Sequence, residues 1–406
     1  MRVVVIGSGG REHALADVLG RTATDVIVTP GNPGIPGSVD VPATELEADL
    51  FVIGPEVPLV DGLADELRAQ GKLVFGPGTD GAELEASKAY MKQLLVDAGV
   101  PTAAHGSFTE LAPALEFLAT MNAPFVVKTD GLAAGKGVLV TDDRDEAEAA
   151  IGRYLSGDAF GDAGTTVVIE EGLIGPEVSI FAICDGTKAV VLAPAQDHKR
   201  IGEGDTGPNT GGMGAYTPLP WADPNLLDDV MTTCIEPTLA ELRRRGIDYR
   251  GTLFAGLMLT ESGPKMLEYN VRFGDPETQV VLPRIDSDLC ELLAQAAAGN
   301  IESEPTFSDD AVVTVVCASE GYPASARTGD VIDGLDAARA IEGVSVYAAG
   351  VKRDDSGELI TGGGRVLNVV GRGATIQEAV DRAYAGVAEL SWPGMQHRRD
   401  IAHQAR

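Results

Sequence analysis

The run Leu267-Glu268-Tyr269-Asn270-Val271-Arg272-Phe273-Gly274-Asp275-Pro276-Glu277 carries the densest chemistry in the chain. If Lys265–Arg272 is extended, Glu268, Asn270 and Arg272 project from one face, because side chains of a strand alternate with a period of two. Two oxygen donors and one fixed cation then stand side by side. That set suits a hard divalent ion bridging phosphates, beside a guanidinium that stabilises charge on a transferring phosphoryl group. The plain alternative is a strand face that alternates polar residues without function.

A second constellation is Lys128-Thr129-Asp130-Gly131-Leu132-Ala133-Ala134-Gly135-Lys136-Gly137, in which two lysines flank a glycine-rich turn. A phosphate-binding loop of the G-x-x-x-x-G-K-[ST] type leads into a helix. Here the spacing is one residue short, Gly137 replaces the hydroxyl residue, and strand-like residues follow. What fits is a hairpin whose backbone N–H groups and Lys136 close over a triphosphate while Lys128 reaches its inner phosphates. Further on, Glu170-Glu171-Gly172-Leu173-Ile174-Gly175-Pro176-Glu177 ends an apolar run with a cluster of acids. Backbone groups at Glu171 and Leu173 suit an adenine edge and Glu177 a ribose diol, although such a stretch in isolation is more often a solvated turn.

At the start of the chain, Gly7-Ser8-Gly9-Gly10-Arg11-Glu12-His13 follows an apolar run and opens a helical pattern, where free N–H groups and the helix dipole favour a phosphate. It is not a dinucleotide fingerprint, since Glu12 occupies the place of the third glycine in G-x-G-x-x-G. Pro30-Gly31-Asn32-Pro33-Gly34 and Gly54-Pro55-Glu56 end the next two apolar runs on what should be the same sheet edge, where open α/β sheets bind ligands.

These segments need several domains to carry them. At 406 residues and 44% hydrophobic content, the chain exceeds the roughly 250–300 residues at which single cores stop growing. With 61 acidic against 31 basic residues, a formal charge of −30, long-range attraction to nucleic acid or anionic lipid is not expected. Cys184, Cys234, Cys290 and Cys317 lie far apart, with neither a disulfide framework nor zinc-ligand spacing. MRVVVIGSGG is too short an apolar run for a signal-peptide core, and no run approaches the ~20 residues of a membrane span. A cytoplasmic protein with no membrane or nucleic-acid partner is expected.

Arg2–Ile6, Glu12–Leu19, Asp25–Val28, Leu50–Ile53, Gly62–Ala69 and Lys72–Phe75 alternate strand and helix patterns, which predicts βαβ units on a parallel sheet. Ser87–Ala98 reads as a helix closed by Gly99, with a linker near Val100-Pro101. From Phe125 to Cys184 the strand patterns leave little room for crossover helices, predicting a small antiparallel α+β lobe with a helix near Asp145–Leu155. A long glycine-rich loop over Gln196–Thr217, a helix near Asn225–Arg245, and strands at Thr252–Leu259 and Lys265–Tyr269 follow. A third segment from Asp309 carries strands at Val312–Cys317, Val344–Ala349 and Arg365–Val370 and ends in a helix over Thr375–Leu390.

Lys128, the Gly131–Gly137 loop, Glu170–Glu177 and Glu268-Asn270-Arg272 occur in the order typical of ATP-grasp enzymes, and the chain resembles that superfamily. Within it, GSGGREHA, KTDGLAAGKGV, QDHKRIGEGDTGPNTGGMGAY and LEYNVRFGDPETQ are similar to the phosphoribosylamine–glycine ligase family, along essentially the whole chain. The resemblance implies an α/β and α+β multidomain fold. An N-terminal parallel-sheet domain over 1–100 would precede a two-lobed ATP-grasp region over 101–308, with its small lobe at about 122–190. A small β-rich α+β domain over 309–406 would contain Gly321-Tyr322-Pro323 and Arg327-Thr328-Gly329-Asp330.

It also implies a reaction: ATP phosphorylates the carboxylate of glycine, and the amine of 5-phosphoribosylamine attacks the glycyl phosphate, giving glycinamide ribonucleotide, ADP and phosphate in purine biosynthesis. ATP would be held by Lys88, Lys128, Gly135, Lys136, Gly137, Glu170, Glu171, Leu173 and Glu177, and Mg²⁺ or Mn²⁺ by Glu268 and Asn270. Arg272, Lys136 and Asp275 would be catalytic. Substrate would meet Gly9, Gly10 and Arg11 near the phosphoribosyl group, together with Asp197, Lys199, Asp205, Asn209, Gly211, Gly212, Met213, Gly214 and Arg272. Asp197, Asp205 and Asp275 stay open as partners of the glycine ammonium. Because an acyl phosphate hydrolyses, the Gly131–Gly137 loop would double as a lid. Phe254–Leu259 has no acid where many ATP-grasp proteins place a second metal carboxylate, and Thr129 stands where a small apolar residue is usual. A monomer, or at most a weak dimer, is expected.

Three other protein classes fit the residues less well. An ATP-grasp ligase using formate or bicarbonate, including a biotin carboxylase-like protein, is opposed by the long loop from Gln196 to Tyr216. A nucleotide-binding regulatory module without chemistry is opposed by Arg272 beside both metal-ligand candidates. A dinucleotide oxidoreductase is opposed by the glycine spacing at the N-terminus.

Overall fold

The computed structural model describes residues 1–131, 137–157 and 165–405. Strands Arg2–Gly7, Asp25–Pro30, Leu50–Ile53 and Val74–Phe75 form a parallel sheet in the order second, first, third, fourth. Val3, Val4 and Val5 are fully buried, as a strand covered on both faces requires. Helix Gly10–Leu19 leaves the first strand through the Gly7–Gly10 turn and buries Ala14, Leu15, Val18 and Leu19.

By strand pairing, the small lobe runs from 105 to 171 rather than over about 122–190. Its antiparallel sheet is ordered His105–Phe108, Val167–Glu171, Phe125–Thr129, Val138–Thr141. Helices Leu111–Leu118 and Arg144–Leu155 close a core of its own around Leu118, Val127, Ile151 and Ile169. Glu177–Asp185 joins a second antiparallel sheet, ordered Ala189–Val191, Glu177–Asp185, Arg250–Thr260, Gly263–Asn270. The lysine-flanked hairpin and the Glu268–Asn270 strand therefore belong to two sheets with separate cores.

The expected loop over Gln196–Thr217 is instead two strands around a hairpin. Gln196–Asp197 and Gly214–Thr217 enter a five-stranded antiparallel sheet with Ala311–Ala318, Arg365–Gly373 and Val344–Ala348. Arg200–Gly202 and Thr206–Asn209 pair with each other. These strands are too short and glycine-rich to show a period of two, and their partners lie far away in sequence, as in Ala215 opposite Thr314. The C-terminal sheet thus draws strands from the middle of the chain, and helix Ile376–Glu389 covers it.

The expected helix over Asn225–Arg245 is interrupted. A π-helical turn, Met231–Ile235, separates Leu226–Val230 from Glu236–Arg244, next to Pro237, which has no N–H to continue a regular ladder. Among the described residues, no helix is long and apolar enough to cross a membrane.

Candidate functional site

Lys128, near the end of strand Phe125–Thr129, places Nζ 2.8 Å from Glu170 Oε1 and 3.4 Å from the Leu267 carbonyl. The other oxygen of Glu170 lies 2.7 Å from Lys92 Nζ, which also donates to Thr102 Oγ1 at 2.8 Å. All three charged groups are buried. Burial would raise the Glu170 carboxyl, but Lys128 and Lys92 together hold it below the usual range. Burial pushes Lys92 down to about 8, against the pull of Glu170. Glu170 is therefore committed to two lysines and aims Lys128, rather than offering its carboxylate to a nucleotide.

Helix Lys88–Ala98 starts at Ser87, whose hydroxyl caps Tyr90 N–H, while Asp130 accepts from Ser87 Oγ and Ala89 N. Lys88 Nζ donates to Gly131 O at 2.8 Å, so the cation sits at the mouth of the glycine-rich turn. Gly137 closes that turn through Thr129 N–H to Gly137 O, 2.8 Å. Gly135 and Lys136 lie outside the described residues.

Of the expected adenine contacts, the Glu171 N–H donates to Ala104 O at 2.9 Å, and the Glu171 carboxylate takes Ala104 N–H and Lys265. The Leu173 N–H has no protein acceptor among the described residues. Glu177, half-exposed, pairs with Lys199.

Glu268 and Asn270 sit two residues apart in strand Gly263–Asn270, both half-buried. Burial would raise Glu268, but Lys199, Lys128, Lys88 and Arg272 hold it below the usual carboxylate range. An ionised carboxylate beside an amide oxygen fits a hard cation. Among the described residues no group of three or more acids, histidines or cysteines surrounds it, so phosphate and water oxygens would complete the shell. Glu261, in the turn after Arg250–Thr260, is exposed.

Arg272 departs from the expected strand face, because the strand ends at Asn270. Its guanidinium is oriented by two acids from the N-terminal half: Nη2 lies 2.7 Å from Glu85 Oε1 and Nε 3.2 Å from Glu56 Oε2. Against the cost of burial, Glu85 and Glu56 raise its pKa further above the ordinary value. Glu85 also accepts Val271 N–H at 2.8 Å. Nothing in the sequence singles out Glu85, which is one acid among several in helix Thr79–Ala86.

The three open partners for a glycine ammonium separate clearly. Asp205 is 2.6 Å from Arg398, and Asp275 is 3.2 Å from Arg365 and accepts from Gln279 at 2.8 Å. Among the described residues Asp197 has no arginine partner; it lies with Lys199, Glu277 and Glu177, and burial pushes it up to about 7, with Lys199 opposing. Glu277, buried and accepting Ser179 Oγ–H at 3.0 Å, is also raised, chiefly by burial. Asp205, one of the three acids left open by the sequence, is thus paired with an arginine of the chain's last segment.

At the N-terminal turn, Gly9 N–H donates to Glu12 Oε2 at 2.6 Å. A Cβ on Gly54 would fall 2.1 Å from Glu12 Oε1, so Glu12 fills the crevice that a dinucleotide would need. Arg11, expected as a phosphoribosyl ligand, is buried, with Nε on Glu12 at 2.5 Å and Nη1 on Phe273 O at 3.1 Å. It braces the segment after Arg272. Met213 is likewise buried and donates its N–H to His198 O. Asn209 is exposed in its hairpin strand, and Gly214 packs against Thr314 O.

Sequence reading missed Arg365. It begins strand Arg365–Gly373 and donates to Gly211 O at 2.7 Å and Asp275 O at 2.9 Å, beside Gly212. Asp275 in turn faces Gly9, where a Cβ would stand 3.6 Å from its Oδ2. Gly9, Gly211, Gly212, Asp275 and Arg365 so form a second pole. The only signal is an arginine after Gly362-Gly363-Gly364.

Comparison with known proteins matches three family models in order: the N domain of phosphoribosylglycinamide synthetase over residues 1–85, its ATP-grasp (A) domain over 86–278 and its C domain over 312–404. The phosphoribosylamine–glycine ligase of Streptomyces coelicolor is 48% identical, covering 100% of this chain and 99% of the relative. The crystal structure of the Thermotoga maritima phosphoribosylamine–glycine ligase superposes with a TM-score of 0.88 at 33% identity, covering 99% of this chain and 100% of that one. The biotin carboxylase domain of a Hydrogenobacter thermophilus 2-oxoglutarate carboxylase, in complex with magnesium ADP and bicarbonate, shares the fold, with a TM-score of 0.72 at 16% identity over 98% of this chain and 91% of that one.

Proposed function

The chain belongs to the phosphoribosylglycinamide synthetase family, and we propose how its residues carry out the family's chemistry. It is a phosphoribosylamine–glycine ligase, joining glycine to 5-phosphoribosylamine in purine biosynthesis as ATP becomes ADP and phosphate.

The observation that carries the site assignment is the meeting of Lys128, Lys88, Lys199 and Arg272 around Glu268. Four cations about one ionised carboxylate suit a polyphosphate bound with a divalent cation. Lys128 and Lys88 take the nucleotide phosphates, Leu173 N–H the adenine edge and Glu177 the ribose. Lys136, with the backbone of Gly135, would close over the triphosphate. Glu268 and Asn270 would hold Mg²⁺ or Mn²⁺, which would draw charge from the phosphate oxygens.

Asp197, with Glu277 beside it, receives the glycine ammonium. A glycine carboxylate oxygen attacks the γ-phosphorus, the bond to the β-phosphate oxygen breaks, and ADP departs. Arg272, already oriented by Glu85 and Glu56, stabilises the equatorial charge of that transfer. The amine of phosphoribosylamine, held at the pole of Gly9, Asp275 and Arg365, then attacks the acyl carbon. Phosphate leaves, and the nitrogen loses a proton. The arginine supplies the cation for the phosphoribosyl group that Arg11, spent on Glu12 and Phe273, does not. The enzyme would act in the cytoplasm, as a monomer or weak dimer.

ADP release measured with ATP and Mg²⁺, then with glycine, then with phosphoribosylamine generated in place, tests the reading. Turnover requires both substrates. Release that ignores glycine and responds to another carboxylate would overturn the substrate assignment.

A further inference from the structure

The hairpin between Arg200–Gly202 and Thr206–Asn209 carries no core of its own. Residues 203–209 are exposed, and its two paired positions are separated by a register shift. An isolated two-stranded hairpin is marginal in water. Yet it follows directly from Lys199, which must stay over Glu177, Asp197 and Glu268.

What holds it is the chain's far end. Arg398 has no solvent-accessible surface. Its Nε and Nη2 form a fork onto both oxygens of Asp400, each at 2.7 Å, while Nη1 reaches Asp205 Oδ1 at 2.6 Å and Arg200 O at 3.1 Å. Asp400 accepts Gly204 N–H at 2.8 Å. Ala402, at φ +62°, turns its N–H onto His198 Nε2 at 3.0 Å. The tail therefore grips the residues on both sides of Lys199 and the tip of the hairpin. A planar guanidinium with five donors satisfies such a divergent acceptor set; a lysine ammonium does not.

We propose that Arg398 is a positioning residue, and that the tail 398–402 is a strut setting Lys199 over the glycine and nucleotide ends of the site. Arg398 touches none of the reacting groups and acts through Arg200, Asp205 and Lys199. The inference rests on the ligase reading above, but it is tested separately.

The test is a double-mutant cycle between Arg398→Lys and Lys199→Met in the full chain, with Asp205→Asn as a second probe of the strut and thermal unfolding run on every variant. Wild-type turnover with glycine and phosphoribosylamine tests the ligase reading before any variant is compared. Arg398→Lys and Asp205→Asn should each raise the KM for glycine about tenfold, more than they change any other kinetic constant. In the Lys199→Met background, Arg398→Lys should add less than about twofold. Additive effects, or a loss of activity that follows only the loss of folded protein, would overturn the proposal. So would unchanged glycine KM in Asp205→Asn, which removes the charge from a half-exposed side chain and spares the fold if Arg398→Lys does not.

Discussion

Lys92 Nζ lies 2.7 Å from Glu170 Oε2, both side chains closed to solvent, and the same carboxylate holds Lys128 from its other oxygen. One anion thus serves two buried cations, and the consequences of removing each differ. Glu170→Gln strands two lysines and should destabilise by about 3–5 kcal/mol. Lys92→Met leaves a paired Lys128–Glu170 and should cost about 1–2 kcal/mol at most. Denaturant unfolding of the two variants checks the order; a larger loss in Lys92→Met would refute this reading of the triad.

Arg272→Ala should lower kcat by roughly 10³-fold while ATP affinity changes by less than about fivefold. The same change leaves Glu85 and Glu56 facing each other, so its melting temperature should fall. In Glu85→Gln, which loosens the guanidinium without deleting it, a smaller kcat loss is expected. Steady-state kinetics alongside calorimetric ATP titration separates these effects, and an Arg272→Ala enzyme turning over at the wild-type rate would rule out the assigned role.

Glu268→Gln should weaken Mg²⁺-dependent nucleotide binding by about tenfold or more, since one of two protein oxygen donors loses its charge. Binding measured without the metal should change little or improve, because four cations then face the nucleotide with one anion fewer. Equal weakening with and without Mg²⁺ would remove Glu268 from the metal shell.

Asp197 offers a pH test. Its pKa is about 7 in the folded protein against 3.8 for an ordinary aspartate. The folded state therefore binds the proton more tightly, and stability from this group is fully present below about 3.8 and is lost as pH rises through about 7. Binding glycine's ammonium needs the opposite, ionised form. The KM for glycine should fall as pH rises through 7, and Asp197→Asn should raise that KM and flatten its pH dependence. A profile unchanged in Asp197→Asn would move the ammonium to another acid.

Much of the site was legible because its residues lie in local runs. Glu268 and Asn270 are two apart in one strand, and Lys128 with Gly131 and Gly137 is a single hairpin, so periodicity and turn chemistry sufficed. Glu12 in place of a glycine excluded a dinucleotide, and the contact of its carboxylate with Gly9 and Gly54 gives the physical reason. The glycine-rich stretch at 196–217 reads as a loop in sequence because pairing with a strand a hundred residues away leaves no local pattern.

The chain's local order alone determined the alternation that makes a parallel N-terminal sheet, the lysine-flanked hairpin and the carboxylate–amide pair, since each depends on neighbours within a few residues. Tertiary structure decided which charges are free to act. Arg11, Asp205 and Glu170 are paired with Glu12, Arg398 and two lysines, whereas Asp197 stands partly buried beside Lys199, Glu277 and Glu177, and Arg365 arrives from the far domain to meet Gly211 and Asp275. A charge takes its role from the partners that the fold brings to it: Asp205 meets Arg398 193 residues away and Arg365 meets Gly211 154 residues away, while Arg11 is held by its own neighbour Glu12.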